Sequence, residues 1–305
     1  MNYRHAFHVG NFADILKHLV LTLSIEHLKR KDKPFRVVDT HAGIGMYDLT
    51  GDEARRSPEW EDGIGRIWTA DVPEELAEHI TPFLSVLRDM NPGGALKAYP
   101  GSPALSAALL RDQDALRLTE LHPEDAETLK SRFHRDERVK IEVRDGYEAM
   151  ATYLPPPEKR GLVLVDPPFE DRDELAHMAR AAMRGIERWP TGTFIFWRPL
   201  KDMENTEKFD DGLAEWLLDD MGFAPEKLLL ADLWVKEIVE PGPLCGAGVV
   251  VVNPPYGLAE ALLQLLPWLT DLLKQGTGAG WRINAPELAI DEDEVLVDLS
   301  DGQPG

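Results

Sequence analysis

The sequence predicts an α/β fold in which a seven-stranded, mostly parallel sheet is covered by helices on both faces. Short runs of β-branched and other apolar residues alternate along the chain with segments of helical periodicity. Polar or glycine-rich residues end these runs, as is typical of strands that reach the edge of a sheet. The chain's 305 residues and 43% hydrophobic content suffice for one large domain with a substantial core.

The first predicted element is an amphipathic helix from about Asn11 to about Lys31. Asn11 suits the N-cap position, and Pro34 closes the turn after the helix. Seven strand-like runs follow, at Phe35–Asp39, Leu116–Glu120, Val139–Arg144, Leu162–Asp166, Thr193–Trp197, Leu228–Val235 and Gly248–Asn253. Ligands bind outside the carboxyl ends of the strands in such a sheet, so the residues after each strand are the candidates for function.

The interval between the first two strands is too long for a simple crossover. Asp39 and Glu120 are 81 positions apart, whereas a dinucleotide-type unit needs about 20. The surplus contains charged helical patterns, so we predict a small helical insertion at about Tyr47–Ala98. We assign residues 1–282 to one domain and interpret 283–305, where every charged residue is acidic, as a flexible tail.

Composition limits the classes of function. The single cysteine, Cys245, excludes a disulfide framework and a multi-cysteine zinc site, and we predict no metal site. We find neither an apolar stretch of membrane-spanning length nor a signal-peptide pattern, and therefore expect a cytoplasmic protein that does not bind membranes.

The net charge of −21 opposes binding of nucleic acid unless basic residues cluster. Residues 1–36 carry a positive balance, so the distribution of charge permits such a partner. The residues predicted to contact phosphate are Lys29, Arg30, Lys31, Arg55, Arg56 and Arg198.

Polar residues after three predicted strands are candidate cofactor contacts. The loop after Asp39 contains Gly43 and Gly45, which allow a tight turn and close approach of a ligand, although a turn without ligand explains them equally well. Glu120 ends the second strand, where a carboxylate can accept hydrogen bonds from ribose hydroxyls or lie exposed to water. Asp145-Gly146 follows the third strand, although Asp-Gly often forms only a turn.

The most specific pattern is Asp166-Pro167-Pro168-Phe169, directly after an apolar run. An aromatic amine such as the N6 of adenine is a poor nucleophile, because its lone pair is delocalised into the ring. The Asp166 carboxylate and the Pro167 carbonyl are suited to accept its two hydrogens and so expose that lone pair. Consecutive prolines fix the backbone, and Phe169 offers a face on which the base stacks.

A second segment, Asn253-Pro254-Pro255-Tyr256, has the same form after the last predicted strand. That strand is far along the chain from the glycine loop. The strand before Asp166 is the fourth and should lie beside the first. We therefore assign the chemistry to Asp166 and interpret Asn253 as the end of a late hairpin.

Taken together, these motifs resemble those of the RlmJ family of 23S ribosomal RNA adenine-N6 methyltransferases. The likeness spans about residues 1–282 and includes, in family order, YRHAFHVGNFADILKH, DTHAGIG, YPGSP, TELHP, DG and DPPF. It implies a Rossmann-like class I methyltransferase fold, S-adenosyl-L-methionine as cofactor, and a monomer. Because the target base must leave its stack, we expect protein-free RNA or an early assembly intermediate to be the substrate.

The resemblance also implies roles for individual residues. It places cofactor contacts at His18, His41, Ser102, Glu120, Asp145, Gly146 and Asp166. Asp166 is the implied catalytic group, and Tyr3 and Lys17 are expected near the target base. The chain departs from the family at Phe169, where the usual residue is Tyr, so a phenol hydroxyl is missing.

Three other functions remain open from the sequence. Methylation of another planar amine, in DNA adenine or a protein glutamine, would use the same motif. A non-catalytic RNA- or ribosome-binding module would keep the fold without binding the cofactor. A hydride-transferring oxidoreductase shares the strand pattern, but its pyrophosphate-binding glycine spacing is absent.

Overall fold

The structure, a computed structural model, describes residues 7–240 and 242–286. The strands are β1 Arg36–Asp39, β2 Met46–Asp48, β3 Ala98–Pro100, β4 Ala115–Glu120, β5 Val139–Val143, β6 Gly161–Val165, β7 Thr193–Pro199, β8 Leu228–Trp234, β9 Gly246–Val252 and β10 Gly280–Asn284. The helices are α1 Phe12–Lys29, α2 Asp52–Arg56, α3 Ile64–Thr69, α4 Ala77–Met90, α5 Ser102–Leu109, α6 Pro123–Phe133, α7 Gly146–Tyr153, α8 Glu174–Arg188, α9 Met203–Glu215 and α10 Leu258–Leu273.

Eight strands form one sheet in the order β10-β8-β9-β7-β6-β1-β4-β5. The five strands from β5 to β7 run parallel, whereas β9 is antiparallel to both β7 and β8. The predicted α/β class and mostly parallel sheet are confirmed, but the predicted number of seven strands is wrong. The additional strand is β10, which pairs antiparallel with β8 and extends through Asn284, beyond the predicted boundary at residue 282. Arg282 and Asn284 interrupt its short apolar run, which hides the strand in the sequence.

Apolar residues form a core on each face of the sheet. On one face, α1 packs against α4, α5, α10 and the strands, and its Leu16 and Leu19 are fully buried. On the other face, residues of α7, α8 and α9 cover β6, β7 and β9, with Val165 and Phe196 at the centre. Burial on both faces explains why the central strands are almost wholly apolar.

Residues between β2 and β3 form the small helical insertion after the first strand. β2 and β3 pair with each other, away from the main sheet, and α2, α3 and α4 lie between them. The insertion contacts the segment before α1, where the Ile64 N–H donates to the Gly10 carbonyl over 2.8 Å. Among the described residues, no helix is both long and apolar enough to cross a membrane.

Candidate active site

Four adjacent strands bring the predicted polar residues to one edge of the sheet, here called the carboxyl edge. The order β6-β1-β4-β5 places the ends of these strands side by side. Asp166, Asp39, Glu120 and Asp145 follow or end them in that order. The rule that ligands bind outside the carboxyl ends of parallel strands therefore selects this edge.

Asp166 is held by a buried ammonium group from α1. Lys17 Nζ lies 2.5 Å from Asp166 Oδ2 and 2.8 Å from Asp14 Oδ1. Burial lowers the pKa of Lys17, but the two carboxylates outweigh it and raise that pKa above its ordinary value. Lys17 therefore stays protonated, and the Asp166 side chain, 17% exposed, is still accessible from the cleft.

The position of Lys17 is fixed by contacts at the start of α1. Asp14 is 2% exposed and accepts a hydrogen bond from the Gly10 N–H over 2.8 Å. Asn11 caps the helix by accepting from the N–H groups of residues 13 and 14, and it donates to Glu59 in the insertion. The insertion thus connects through α1 to the carboxylate of Asp166, a link that the sequence patterns did not reveal.

Two aromatic rings lie beside Asp166. Phe169, with φ of 50°, packs edge-to-face against Trp197 at a centroid distance of 5.4 Å. Trp197 is near the end of β7, next to β6, and Lys17 Nζ is 6.0 Å from its ring. Sequence analysis missed Trp197, although its place at the end of the fifth predicted strand was a usable signal.

Glu120 closes the glycine loop after β1. Its carboxylate accepts from the Gly43 N–H over 2.8 Å and from the His122 N–H over 2.7 Å. Burial raises the pKa of Glu120, although the two N–H groups act in the opposite direction. Each carboxylate oxygen has two lone pairs, so Glu120 retains capacity to accept from a ligand.

Asp39 is a fully buried carboxylate beneath the same loop. It accepts from the Ser102 hydroxyl over 2.7 Å and from the His41 N–H over 3.3 Å. Burial raises its pKa to about 6. Ser102, at the start of α5, is therefore engaged with Asp39 in this structure.

The His41 ring has a defined tautomer. The Thr40 hydroxyl donates its one hydrogen to the Leu164 carbonyl, so it accepts from Nδ1–H of His41 over 2.8 Å. Nε2 is then an acceptor, and burial lowers the pKa of His41 to about 4, which keeps the ring neutral at physiological pH. Gly146 lies against this unit, and a Cβ there would be 2.2 Å from the Thr40 carbonyl oxygen. Only glycine fits such a close approach.

Asp145 and His18 already have hydrogen-bond partners within the chain. The Asp145 side chain caps α7 by accepting from the N–H groups of Tyr147 and Glu148. His18 is 1% exposed, and its Nδ1 lies 2.8 Å from the Tyr99 hydroxyl. Tyr3 lies outside the described residues, so its predicted role near the base stays a prediction.

The prediction that Arg198 contacts phosphate is wrong. Its side chain is fully buried and forms ion pairs with Asp210 and Asp232. Arg198 and Asp232 meet over Gly248, where a Cβ would be about 2 Å from both side chains. Arg282 completes the cluster by donating to Asp232, so these groups join the late strands of the sheet.

The other residues predicted to contact phosphate lie in two groups, one near the start of α1 and one at its end. Arg55 and Arg56 are exposed on α2, within the insertion that contacts the start of α1. Lys29 lies 12 residues after Lys17 on the helix, a distance of about 18 Å along its axis. Lys29, Arg30 and Lys31 therefore lie far from Asp166.

Comparison with known proteins decides the family. The family model described as ribosomal RNA large subunit methyltransferase D, RlmJ, matches residues 32–284. The chain belongs to the RlmJ family. Ribosomal RNA large subunit methyltransferase J of Escherichia coli (strain K12) is 38% identical over 279 residues, which cover 91% of this chain and 96% of that protein. The protein of the same name from Haemophilus influenzae (strain ATCC 51907 / DSM 11121 / KW20 / Rd) is 38% identical over 286 residues, covering 93% and 98%.

A solved structure supports the fold. A protein of Legionella pneumophila (strain Philadelphia 1) has a crystal structure that matches this chain with a TM-score of 0.81 at 31% identity. The match covers 91% of this chain and 98% of that one. The resemblance inferred from the motifs is thus confirmed, and the chain is a methyltransferase with the predicted fold class.

Proposed function

We propose that the chain transfers a methyl group from S-adenosyl-L-methionine to the N6 amine of one adenine in 23S ribosomal RNA. The observation that carries this proposal is the position of Asp166. Its carboxylate is accessible at the carboxyl edge, is held by Lys17, and has Phe169 in the same turn. The names of the Escherichia coli and Haemophilus influenzae relatives, which act on large-subunit ribosomal RNA, support the substrate class.

The residues at this edge fit a sulfonium cofactor with an adenosine group. Glu120 and Asp145 offer acceptors for ribose hydroxyls and for the adenine ring, and Gly146 leaves room where a side chain would collide with the loop. Several carboxylates against the one ammonium of Lys17 favour a cation. His18, His41 and Ser102 would complete the cofactor contacts, and the bound cofactor supplies an electrophilic methyl group.

The chain's own residues then prepare the amine. Asp166 and the Pro167 carbonyl accept hydrogen bonds from the two N–H groups of the amine, which draws the nitrogen toward tetrahedral geometry and exposes its lone pair. One of these protons is released to water once the nitrogen carries the methyl group. Lys17 keeps the carboxylate in place. The rate then depends chiefly on how the amine is positioned against the methyl group. Phe169 stacks on the extruded base, with Tyr3 nearby, and Arg55 and Arg56 contact flanking phosphates.

Extrusion of the base costs a few kcal/mol when it is paired, and less in loosely structured RNA. We therefore propose that a monomer acts on protein-free 23S ribosomal RNA or on an early assembly intermediate. This preference is checked by comparing the rates of methylation of protein-free RNA and of mature large subunits.

Transfer of labelled methyl from S-adenosyl-L-methionine to protein-free 23S ribosomal RNA, followed by nucleoside analysis, tests the proposal. We expect N6-methyladenosine, and a loss of turnover of about 10²- to 10⁴-fold in Asp166→Ala with a smaller loss of cofactor binding by calorimetry. Asn253→Ala, which alters the other motif copy, is the matched control and should retain activity. Label in another nucleoside, or equal activity on duplex DNA or on protein glutamine, would overturn the RNA assignment.

A further inference from the structure

The opposite edge of the sheet, the amino edge, carries a group of exposed cations, interrupted by the exposed carboxylate of Asp32, on a chain of net charge −21. Arg30, Lys31, Lys33 and Lys159 are exposed there, next to the starts of β1 and β6. None of these four side chains forms an ion pair with any residue that the structure describes. Their charges are therefore available to an external anion.

Two arginines hold the backbone of the loop that carries Arg30, Lys31 and Lys33. Arg111 donates hydrogen bonds to the carbonyls of Lys29, Lys31 and Lys33, and Arg160 donates to those of Leu28 and Lys33. Both guanidinium groups also lie within 5.8 Å of the centre of the buried Phe35 ring. Because the backbone is held at several points, the exposed cations project from a pre-organised surface.

An exposed aromatic ring lies on the same amino edge, after the end of β9. Tyr256, at the end of the unused motif copy, is 78% exposed. Burial and the charges of Arg30, Arg160 and Lys31 lower the pKa of His27, and a hydrogen bond with the Tyr256 backbone acts in the opposite direction. α1, whose last turn carries His27, packs against β9, the strand that precedes Tyr256. Cations beside an exposed aromatic ring are typical of surfaces that bind single-stranded nucleic acid.

The catalytic cleft is poorly suited to bind RNA strongly. Its edge presents the carboxylates of Glu120, Asp145 and Asp166, which repel phosphate, and its ammonium group is already paired with two of the chain's carboxylates. Since phosphate contacts supply much of the affinity for RNA, further cations are needed outside the cleft. Lys17, which contacts Asp166, and Arg30, directly after α1, are 13 residues apart, a distance of about 20 Å along the helix axis.

We propose that Arg30, Lys31, Lys33, Lys159 and Tyr256 form a second RNA-binding surface, here called the amino-edge surface. The cations bind phosphates of a segment distant from the target adenine, and Tyr256 stacks on an unpaired base. The inference rests on the proposed function, because the bound segment belongs to the RNA that is methylated. It further requires that an RNA reach about 20 Å from the target to use both sites.

The test compares a long and a short RNA that contain the same methylated adenine. In the variant Arg30→Ala/Lys31→Ala/Lys33→Ala/Tyr256→Ala, we expect KM for the long RNA to rise at least 10-fold while kcat is unchanged. The slope of log affinity against log salt should become shallower by about 2, since each lost phosphate contact removes about 0.7 to 0.9. Methylation of the short RNA and binding of S-adenosyl-L-methionine should match the wild-type protein.

A control variant, Arg180→Ala/Arg184→Ala/Lys208→Ala, removes three exposed cations from α8 and α9 and should behave as wild type. Thermal unfolding of both variants verifies that they fold. Unchanged KM and salt slope on the long RNA would overturn the proposal. So would loss of binding to anionic phospholipid vesicles without loss of binding to RNA, which would indicate a membrane partner. If wild-type protein methylates neither RNA, the proposed function fails instead, and the two failures are distinguishable.

Discussion

The two Pro-Pro motifs of this chain have the same form and opposite places in the fold. Asp166-Pro167-Pro168-Phe169 follows β6, whereas Asn253-Pro254-Pro255-Tyr256 follows β9. Because β9 runs antiparallel to β7, its end lies beside Thr193 at the start of β7, on the amino edge. The direction of the preceding strand therefore decides which motif reaches the carboxyl edge.

The polar residue of each motif also has different partners. Asp166 pairs with Lys17 and remains accessible. The Asn253 amide donates to the carbonyls of Pro190 and Gly192 over 2.9 and 2.8 Å. Asp166 thus presents an acceptor to a ligand, while Asn253 satisfies backbone carbonyls and stabilises a loop. A sequence motif acquires its chemistry from the groups around it, and exchanging residues between the copies tests that difference.

The largest effect is expected from exchanging the polar residues. Asp166→Asn replaces the carboxylate with an amide, and turnover should fall by about 10²- to 10⁴-fold. Asn253→Asp should keep full turnover but lower the free energy of unfolding by about 1–3 kcal/mol, because a carboxylate would then face two carbonyl oxygens. Methyl-transfer kinetics and urea unfolding measure the two effects. Equal losses of turnover in both variants would contradict the separation of roles.

A second difference between the copies is the buried cation at Asp166. Lys17→Met leaves the carboxylates of Asp14 and Asp166 without their counter-charge, so the free energy of unfolding should fall by about 3–5 kcal/mol. The double variant Asp14→Asn/Lys17→Met removes one of those charges and should recover part of the loss. Urea unfolding decides the outcome, and a change below about 1 kcal/mol for Lys17→Met would show that the ion pair contributes little.

The two edges of the sheet should also differ in how pH affects stability, because the buried carboxyl group of Asp39 lies at the carboxyl edge. Its pKa of about 6 exceeds the ordinary 3.8, so the folded state binds its proton more tightly than the unfolded state. Folding stability from this group is therefore lost as pH rises from about 4 to about 6, by about 3 kcal/mol. Asp39→Asn should abolish this decline.

The measurement is the difference in unfolding free energy between variant and wild type, taken from about pH 4 to about pH 7. As pH rises, the free energy of unfolding of Asp39→Asn should increase relative to that of the wild type. For Asn253→Ala, which removes a neutral side chain at the amino edge, the difference should stay constant. A constant difference for Asp39→Asn as well would refute the raised pKa.

The smallest effect is expected at the aromatic positions. Phe169→Ala should lower kcat/KM for RNA by about 10- to 100-fold, since stacking of one base contributes about 1–3 kcal/mol. Phe169→Tyr, which restores the usual family residue, should stay within a few-fold of wild type. On a short RNA, Tyr256→Ala should have no effect. A loss in Tyr256→Ala equal to that in Phe169→Ala would place both rings in one site.

Much of the site followed from one rule about strand ends. Asp39, Glu120, Asp145 and Asp166 could be brought together from the sequence because each follows or ends a strand whose order in the sheet is predictable. Trp197 required knowing that β7 neighbours β6. Asp14 looked like an ordinary acidic residue in the first turn of a helix, and only the folded chain shows that it holds Lys17.

The wrong prediction for Arg198 has a physical reason. The predicted strand ends at Trp197, which would leave Arg198 outside the sheet, whereas the observed strand continues to Pro199 and keeps Arg198 in the interior. Asp232, inside the apolar run of β8, was the missing signal, because Gly248 on the intervening strand lets the two side chains meet. Strand β10 was missed for the related reason that Arg282, its central cation, pairs with the same aspartate.

The contact between Lys17 and Asp166 also bears on when activity arises during folding. The two residues are 149 positions apart, and the supporting contact between Asn11 and Glu59 spans 48. Closing loops of this length costs chain entropy, which the contacts within the folded chain compensate. A chain with a formed sheet but an undocked α1 has its glycine loop and its Pro-Pro turn, yet lacks the ammonium that holds the Asp166 carboxylate. We therefore expect the recovery of methyl transfer during refolding to follow the docking of α1.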